Sequence, residues 1–253
     1  MAENAAVSPR ISVVVPIYNE EPNIAPLLEE LQRVLDSIGG AFEVVAVDDG
    51  SSDASADLLA KAKEDRPWLR VLKFPENRGQ TAAFLAGFRA AKGDVIVTID
   101  ADLQNDPADI PKLLELMADH DVVCGVRAKR DDPLQKRWGS RLANGFRRWV
   151  LKDNIKDTGC SLKAFRRECT ECVPPYNGMH RFFPILMGAR GYRVAQVDVN
   201  HRPREAGVSK YGTFDRLVRS LPDLFAVRWM NKRRLDLDAR ELGAPEKGDE
   251  SAS

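Results

Sequence analysis

DVIVTIDADLQNDP, residues 94–107, joins an unbroken β-branched run to a pair of acids and a turn. Val95 to Ile99 reads as a short strand buried on both faces. Asp100 and Asp102 follow at once. Side chains two apart on an extended chain leave it on the same side, so both carboxylates can face one point at the strand exit. Paired carboxylate oxygens suit a hard divalent cation, which in turn suits a diphosphate; Gln104 can add an amide oxygen. The same stretch also has a purely structural reading, in which Asn105 or Asp106 caps a helix opening at Pro107.

Outward from this unit the chain repeats itself. Ile11 to Val15 is an apolar run closed by Pro16, and Ile24, Leu27, Leu28, Leu31 and Leu35 then fall at helical spacing within Asn23 to Leu35. A strand at Phe42–Val47, a helix from about Asp53 to Lys63, a strand at Leu69–Phe74 and a helix from about Gly79 to Ala91 lead to the strand at Asp94–Ile99. A helix from about Pro107 to Ala118 and a strand at Asp121–Val126 follow. The alternation predicts an α/β fold, a mostly parallel sheet with helices on both faces. Ligands then collect at the carboxyl ends of the strands: after Val15, Val47, Ile99 and Val126.

Two further clusters lie at those ends. In Val47-Asp48-Asp49-Gly50-Ser51-Ser52-Asp53 a carboxylate can accept from a ribose hydroxyl or a base N–H, while Gly50 permits a tight turn and Ser52 or Asp53 caps the next helix. In Pro16-Ile17-Tyr18-Asn19-Glu20-Glu21 the proline stiffens the strand exit and Tyr18 offers a ring face to a base. The alternative there is a turn plus a cap, with Asn19 as cap and Glu20 and Glu21 favouring the helix start.

The composition is that of a globular protein: 253 residues, 43% apolar and 30% charged, with 38 Lys and Arg against 38 Asp and Glu. Zero net charge argues against a dedicated nucleic-acid binder. Four cysteines in this length are too few for a disulfide scaffold, so reduced thiols are expected. MAENAAVSPR lacks the apolar centre of a secretory signal, and no run approaches the roughly 20 apolar residues of a membrane span. Neutrality hides a separation of charge: Arg127–Lys152 carries +7 and Arg202–Arg234 carries +6. The acidic stretch after Asp236 reads as a disordered tail.

VVVPIYNEE, VAVDDGSSD and TIDADLQNDP together resemble the family 2 glycosyltransferases with the GT-A (Rossmann-like) fold. The likeness continues through Asn77-Arg78-Gly79-Gln80, the strand exit Val122–Arg127 and the run Asp157–Arg166. The late His201–Gly212 segment, with its R-x-x-G-x-S-K-Y pattern, is similar to the polyprenyl-phosphate branch, the dolichol-phosphate mannose synthase-like enzymes. That resemblance implies a division into a flexible start at 1–9, a GT-A domain at 10–212, an amphipathic basic helix at 213–234 and a tail at 235–253. It also implies site roles. Pro16, Tyr18, Glu20 and Asp48 hold the nucleoside, and Asp100, Asp102 and Gln104 ligate Mg²⁺ or Mn²⁺ on the donor diphosphate. Arg127 meets a phosphate; Lys136, Arg137, Ser140 and Asp157 serve the acceptor; Arg202 and Lys210 close over the diphosphate. Many relatives read Ser-Gly-Phe where this chain has Gly159-Cys160-Ser161.

The implied activity is inverting transfer of a hexose, of mannose or glucose type, from a GDP- or UDP-sugar to a polyprenyl phosphate. A cation and basic side chains neutralise the leaving diphosphate. A phosphate monoester is mostly dianionic at neutral pH, so it attacks without a strong base. The alternative is a same-fold enzyme acting on a saccharide hydroxyl, which needs a positioned carboxylate base. A nucleotide-binding module without activity would lack the acid pair or the late basic loop. The lipid acceptor implies a cytoplasmic protein that touches the membrane face, through residues 211–230 as an interfacial helix or through a membrane-protein partner. The other reading of 211–230 is a helix packed on the domain, with Pro222 able to split it. Cys169 and Cys172 form a lone C-x-x-C, His120 reads as a cap, and His180 as a structural or acceptor-side residue.

Overall fold

The computed structural model describes residues 10–127, 144–203 and 213–235. Its strands are β1 (Ile11–Ile17), β2 (Phe42–Asp48), β3 (Leu69–Lys73), β4 (Val95–Thr98), β5 (Val122–Arg127), β6 (Lys163–Arg166) and β7 (Val194–Val199). They form one sheet in the order β3-β2-β1-β4-β6-β5-β7. Every pairing is parallel except those of β6, which runs antiparallel to both β4 and β5.

Helices cover both faces because the strands are apolar on both. Along β1, Val13 and Val15 join one core with Leu27, Leu31 and Leu35 of α1 (Glu21–Ile38), Leu59 of α2 (Ser55–Glu64) and Leu113 of α4 (Ile110–Leu116). Val14 faces the other way, into a second core with Phe84 and Phe88 of α3 (Gln80–Ala90). That second core also takes Val150 of a helix over 144–151 (α5), Cys169 of α6 (Arg167–Thr170) and Ile185 of α7 (Phe183–Gly188). Leu224 and Val227 of α8 (Thr213–Arg233) complete it.

The expected strands and helices of the first half are present, with ends shifted by a few residues. The helix expected over 107–118 divides into a 3₁₀ turn at Pro107–Asp109 and α4, with a second proline, Pro111, in the first turn of α4. Asp106 is the cap: its carboxylate accepts from the Ala108 N–H at 3.0 Å. Pro222 does not split α8, which is one helix through that position. Residues 1–9 and 236–253, for which flexible ends are expected, lie outside the described residues.

Candidate active site

The parallel strands β1, β2, β4 and β5 all end at one edge, and β6, running the other way, begins there. A cavity of about 500 Å³ opens at that edge. Of the residues named from sequence, Pro16, Tyr18, Glu20, Asp100, Asp102, Gln104 and Arg127 line it.

The loops after β1 and β2 are laced together, which fixes the first wall. The N–H groups of Asn19, Glu20 and Glu21 donate to Ser51 Oγ, Ser55 Oγ and Asp53 Oδ2, at 3.0, 3.0 and 3.2 Å. In return the Ser52 N–H donates to Asn19 Oδ1 at 2.8 Å. Asn19 therefore caps the neighbouring loop rather than its own helix, from a left-handed backbone of φ 54°. Gly50, with φ 69°, turns so close to Glu76 that a β-carbon would sit 2.4 Å from that residue's carbonyl carbon.

The two aspartates after β2 behave differently from each other. Asp49 borders the cavity and clamps the next loop, accepting from the N–H groups of Arg78 and Gly79 at 2.8 and 2.9 Å and from Asn77 Nδ2 at 2.9 Å. Burial outweighs these bonds and holds its carboxyl above the usual range. Asp48, expected to hold the nucleoside, is 0% exposed and is not among the cavity residues. Its Oδ1 accepts from the Ser51 N–H, while its buried Oδ2 has no hydrogen bond and lies 4.0 Å from Lys73 Nζ.

The acid pair sits at the centre. Asp100 Oδ1 accepts from Gln80 Nε2 at 2.7 Å, and its backbone N–H donates to Ser161 Oγ at 3.2 Å. The Ser161 hydroxyl donates on to Asn105 at 2.7 Å, so the second expected cap residue instead ties the acid turn to the chain before β6. Burial first, and then the charge of Asp102, push the Asp100 carboxyl up to about 6. A carboxylate whose charge is disfavoured by burial and by a neighbouring acid, set at a cavity wall, is a fitting seat for a cation. Among the described residues no group of three or more His, Cys, Asp or Glu stands ready to hold a metal. A cation here would take these two acids and complete its shell with water and donor oxygens, the habit of Mg²⁺.

Opposite, Arg127 meets Asp157 as a fork, Nε to Oδ2 at 2.7 Å and Nη2 to Oδ1 at 2.8 Å. Burial works against the Arg127 cation, but the Asp157 fork outweighs it and holds the guanidinium above its usual pKa. Gly159 makes room: a β-carbon there would come within 2.7 Å of Arg127 Nη2. Asp157 is thus the partner of Arg127 and does not itself line the cavity.

Arg202 also stands apart from the cavity. Its guanidinium spans Glu30 (2.9 Å) and Asp106 (2.7 Å), and its N–H donates to the Gln104 carbonyl, pinning the chain after β7 to the acid turn. Lys136, Arg137, Ser140 and Lys210 lie outside the described residues.

Sequence reasoning gave no role to four other lining residues: Gln80, Ser161, Lys163 and Arg181. His180 lines the cavity too, with Nδ1 2.7 Å from Thr81 Oγ1. Burial, then the charges of Arg181 and Lys163, lower its pKa to about 3. Cys169 and Cys172 are free thiols with backbone partners, and burial pushes the Cys169 thiol up to about 12.

Residues 12–173 match the family described as Glycosyl transferase family 2. The chain belongs to this family. Over 217 residues it is 40% identical to undecaprenyl-phosphate 4-deoxy-4-formamido-L-arabinose transferase of Edwardsiella ictaluri (strain 93-146), covering 85% of this chain and 66% of that protein. The protein of the same name from Pseudomonas aeruginosa (strain LESB58) is 41% identical over 227 residues, covering 89% and 67%. The chain therefore spans about two thirds of these relatives. They belong to the polyprenyl-phosphate branch that the late basic motif implied. Glucosyl-3-phosphoglycerate synthase from Mycobacterium tuberculosis, solved with Mn²⁺, UDP and phosphoglyceric acid, superposes with a TM-score of 0.65 at 21% identity, covering 92% of this chain and 81% of that one. The fold is GT-A. The sugar in the relatives' name is an arabinose derivative, where a hexose was expected.

Proposed function

We propose that this chain transfers a glycosyl group from a nucleoside-diphosphate sugar to a polyprenyl phosphate, with Mg²⁺ or Mn²⁺ bound at Asp100 and Asp102. The observation that carries the reading is one cavity uniting that acid pair with the half-buried Arg127 and the buried Lys163. Pro16, Tyr18 and Glu20 would face the nucleoside, with Gln104 beside the diphosphate. The bound cation would supply Lewis-acid neutralisation of the leaving diphosphate.

The chain's own groups do the rest. Gln80 and Ser161 hold Asp100 in place, and the Asp157 fork holds Arg127 at the edge of β5, where it can meet a phosphate. An acceptor phosphate oxygen forms the new bond to the anomeric carbon as the bond to the donor diphosphate breaks. The diphosphate departs with that electron pair, so the anomeric centre inverts. No proton need be removed from a dianionic acceptor. The relatives' named substrates support the lipid acceptor, and their sugar extends the donor class beyond hexoses to modified pentoses.

A lipid acceptor requires contact with a bilayer. Among the described residues no helix is long and apolar enough to cross a membrane. Both sequence readings of α8 find support in its faces. Leu224 and Val227 pack on the domain, while Leu221, Phe225 and Trp229 form an exposed stripe at four-residue spacing. Arg228 Nη1 donates to the Val150 carbonyl at 2.6 Å, joining α8 to α5, whose Phe146 and Trp149 are exposed too. The same two helices and the residues just after them also carry the exposed cations Arg148, Lys152, Lys232, Arg233 and Arg234. Aromatic rings among cations suit an anionic lipid surface, and we assign this face to peripheral membrane contact.

The test is a panel of UDP- and GDP-linked sugars, including hexoses and 4-deoxy-4-formamido-L-arabinose, offered in detergent with undecaprenyl phosphate and, in parallel, with saccharide acceptors. Lipid-linked product that EDTA and Asp102→Ala each abolish supports the reading. Transfer only to saccharide hydroxyls would establish the alternative acceptor class, and nucleotide binding without turnover would establish a binding module.

A further inference from the structure

We infer that Lys163 selects the donor's sugar, its ammonium donating to an oxygen of the glycosyl group within the cavity. The inference rests on the reading of the cavity as a nucleotide-sugar site and adds a residue to it.

Lys163 is the first residue of β6, paired with Thr98 on one side and Cys124 on the other. Because β6 runs against its neighbours, its first residue lies where theirs end. The side chain borders the cavity and yet is only 4% exposed. Burying an ammonium is costly unless its donors are used. A lysine has three N–H donors, and among the described residues Nζ reaches one acceptor, the Cys160 carbonyl. No carboxylate among them lies within ion-pair distance of it. The Lys163 charge acts on Asp100 and on His180, which line the same cavity.

Sheet order decides what would reach it. Across the cavity edge the strands run β1, β4, β6, β5. A donor with its nucleoside over the β1 loop and its diphosphate at the acid pair after β4 lays its sugar over β6. The next strand, β5, carries Arg127, where an acceptor phosphate would stand. Sugar hydroxyl and acylamino carbonyl oxygens accept hydrogen bonds, which is the one kind of bond an ammonium can give. A site built to donate to a substrate oxygen discriminates against donors lacking it far more sharply than an apolar wall does.

The experiment compares wild type, Lys163→Met and Lys163→Arg by calorimetric titration with Mn²⁺ present. The probes are UDP, GDP, and whichever of UDP-glucose, GDP-mannose and UDP-linked 4-deoxy-4-formamido-L-arabinose binds wild type most tightly. Affinity for the bare nucleotide should stay within about twofold in both variants. Affinity for the sugar nucleotide should fall about tenfold or more in Lys163→Met and recover in part in Lys163→Arg. Equal loss for both ligands would move Lys163 to the diphosphate and overturn the inference, as would no loss for either. Should Lys163→Met fail to fold by circular dichroism, Lys163→Gln replaces it on the same criteria. Wild type that bound neither nucleotide would overturn the donor-site reading and this inference together, an outcome distinct from a null effect at Lys163.

Discussion

Lowering the pH from 6.5 to 4.5 should cost the wild-type protein about 1–2.5 kcal/mol more stability than it costs a His180→Gln variant. The His180 ring stands beside Phe84, with centroids 6.3 Å apart, and its Nδ1 is engaged with Thr81. Burial and the neighbouring Arg181 and Lys163 charges hold its native pKa at about 3, against the ordinary 6.5. Between those values the unfolded chain takes up a proton that the native chain refuses. The contribution is therefore whole above pH 6.5 and is lost as pH falls toward 3. A fully excluded proton is worth about 1.4 kcal/mol per pH unit. The ring borders the cavity, so we take between half and all of that slope. Glutamine can still bond to Thr81 but does not titrate. Urea unfolding at half-unit steps of pH yields the difference curve, in which carboxylates common to both proteins cancel. Parallel stabilities from pH 6.5 to 4.5 would refute the reasoning, because a charged His180 would then be tolerated in the fold.

Three further outcomes follow from the same geometry. With UDP at about 100 times its Kd, Mn²⁺-dependent binding should add about 2.7 kcal/mol, seen as a rise in Tm of about 5–10 °C. Asp102→Asn or EDTA should remove the metal-dependent part of that rise; its persistence would place the cation elsewhere. Gly159→Ala should push Arg127 off Asp157, costing about 1.5–3 kcal/mol for the charge-assisted bond lost. In transfer assays it should raise the KM for the lipid phosphate more than that for the donor. Replacing Trp149, Phe225 and Trp229 together by serine should weaken binding to phosphatidylglycerol vesicles at least tenfold in co-sedimentation while leaving Tm nearly unchanged. A large fall in Tm would mean that these rings pack in the fold instead.

The first half of the fold is legible because β1, β2, β4 and β5 are built on apolar runs long enough to declare themselves. The four residues of β6, Lys-Ala-Phe-Arg, are not: their place between β4 and β5 is decided by pairing with strands already formed. With β6 went Lys163, a cation whose meaning comes from the strands on either side of it. β7, Val-Ala-Gln-Val-Asp-Val, does carry an alternation that marks a strand, and it was passed over. The acid pair was readable from spacing alone, since both residues follow a strand directly. Asp48 and Asp49 could not be told apart that way: the first still belongs to β2 and is sealed beneath the turn, while the second has left the strand and clamps the 77–79 loop. Arg202 was assigned to the diphosphate from its motif, whereas its partners Glu30 and Asp106 come from distant parts of the chain that only folding brings together.

The charges on the cavity wall bear on the need for a cation independently of any relative. Among the described residues, the carboxylates Glu20, Asp49, Asp100 and Asp102 and the cations Arg127, Lys163 and Arg181 line it. Arg127 is already matched by Asp157 just behind it. Asp100 and Asp102 carry the same sign of charge as a nucleoside diphosphate whose oxygens lie beside them. Protonating Asp100 offsets only part of this, because its pKa of about 6 leaves it mostly ionised at neutral pH. A divalent cation between the two acids reverses the local sign at the point where the leaving group develops charge. Lys163 and Arg127 would then be left to act on the sugar and the acceptor. On the proposed reading the division of labour follows the strand order: the acids after β4 would hold the metal, and the cations of β6 and β5 would serve the sugar and the acceptor.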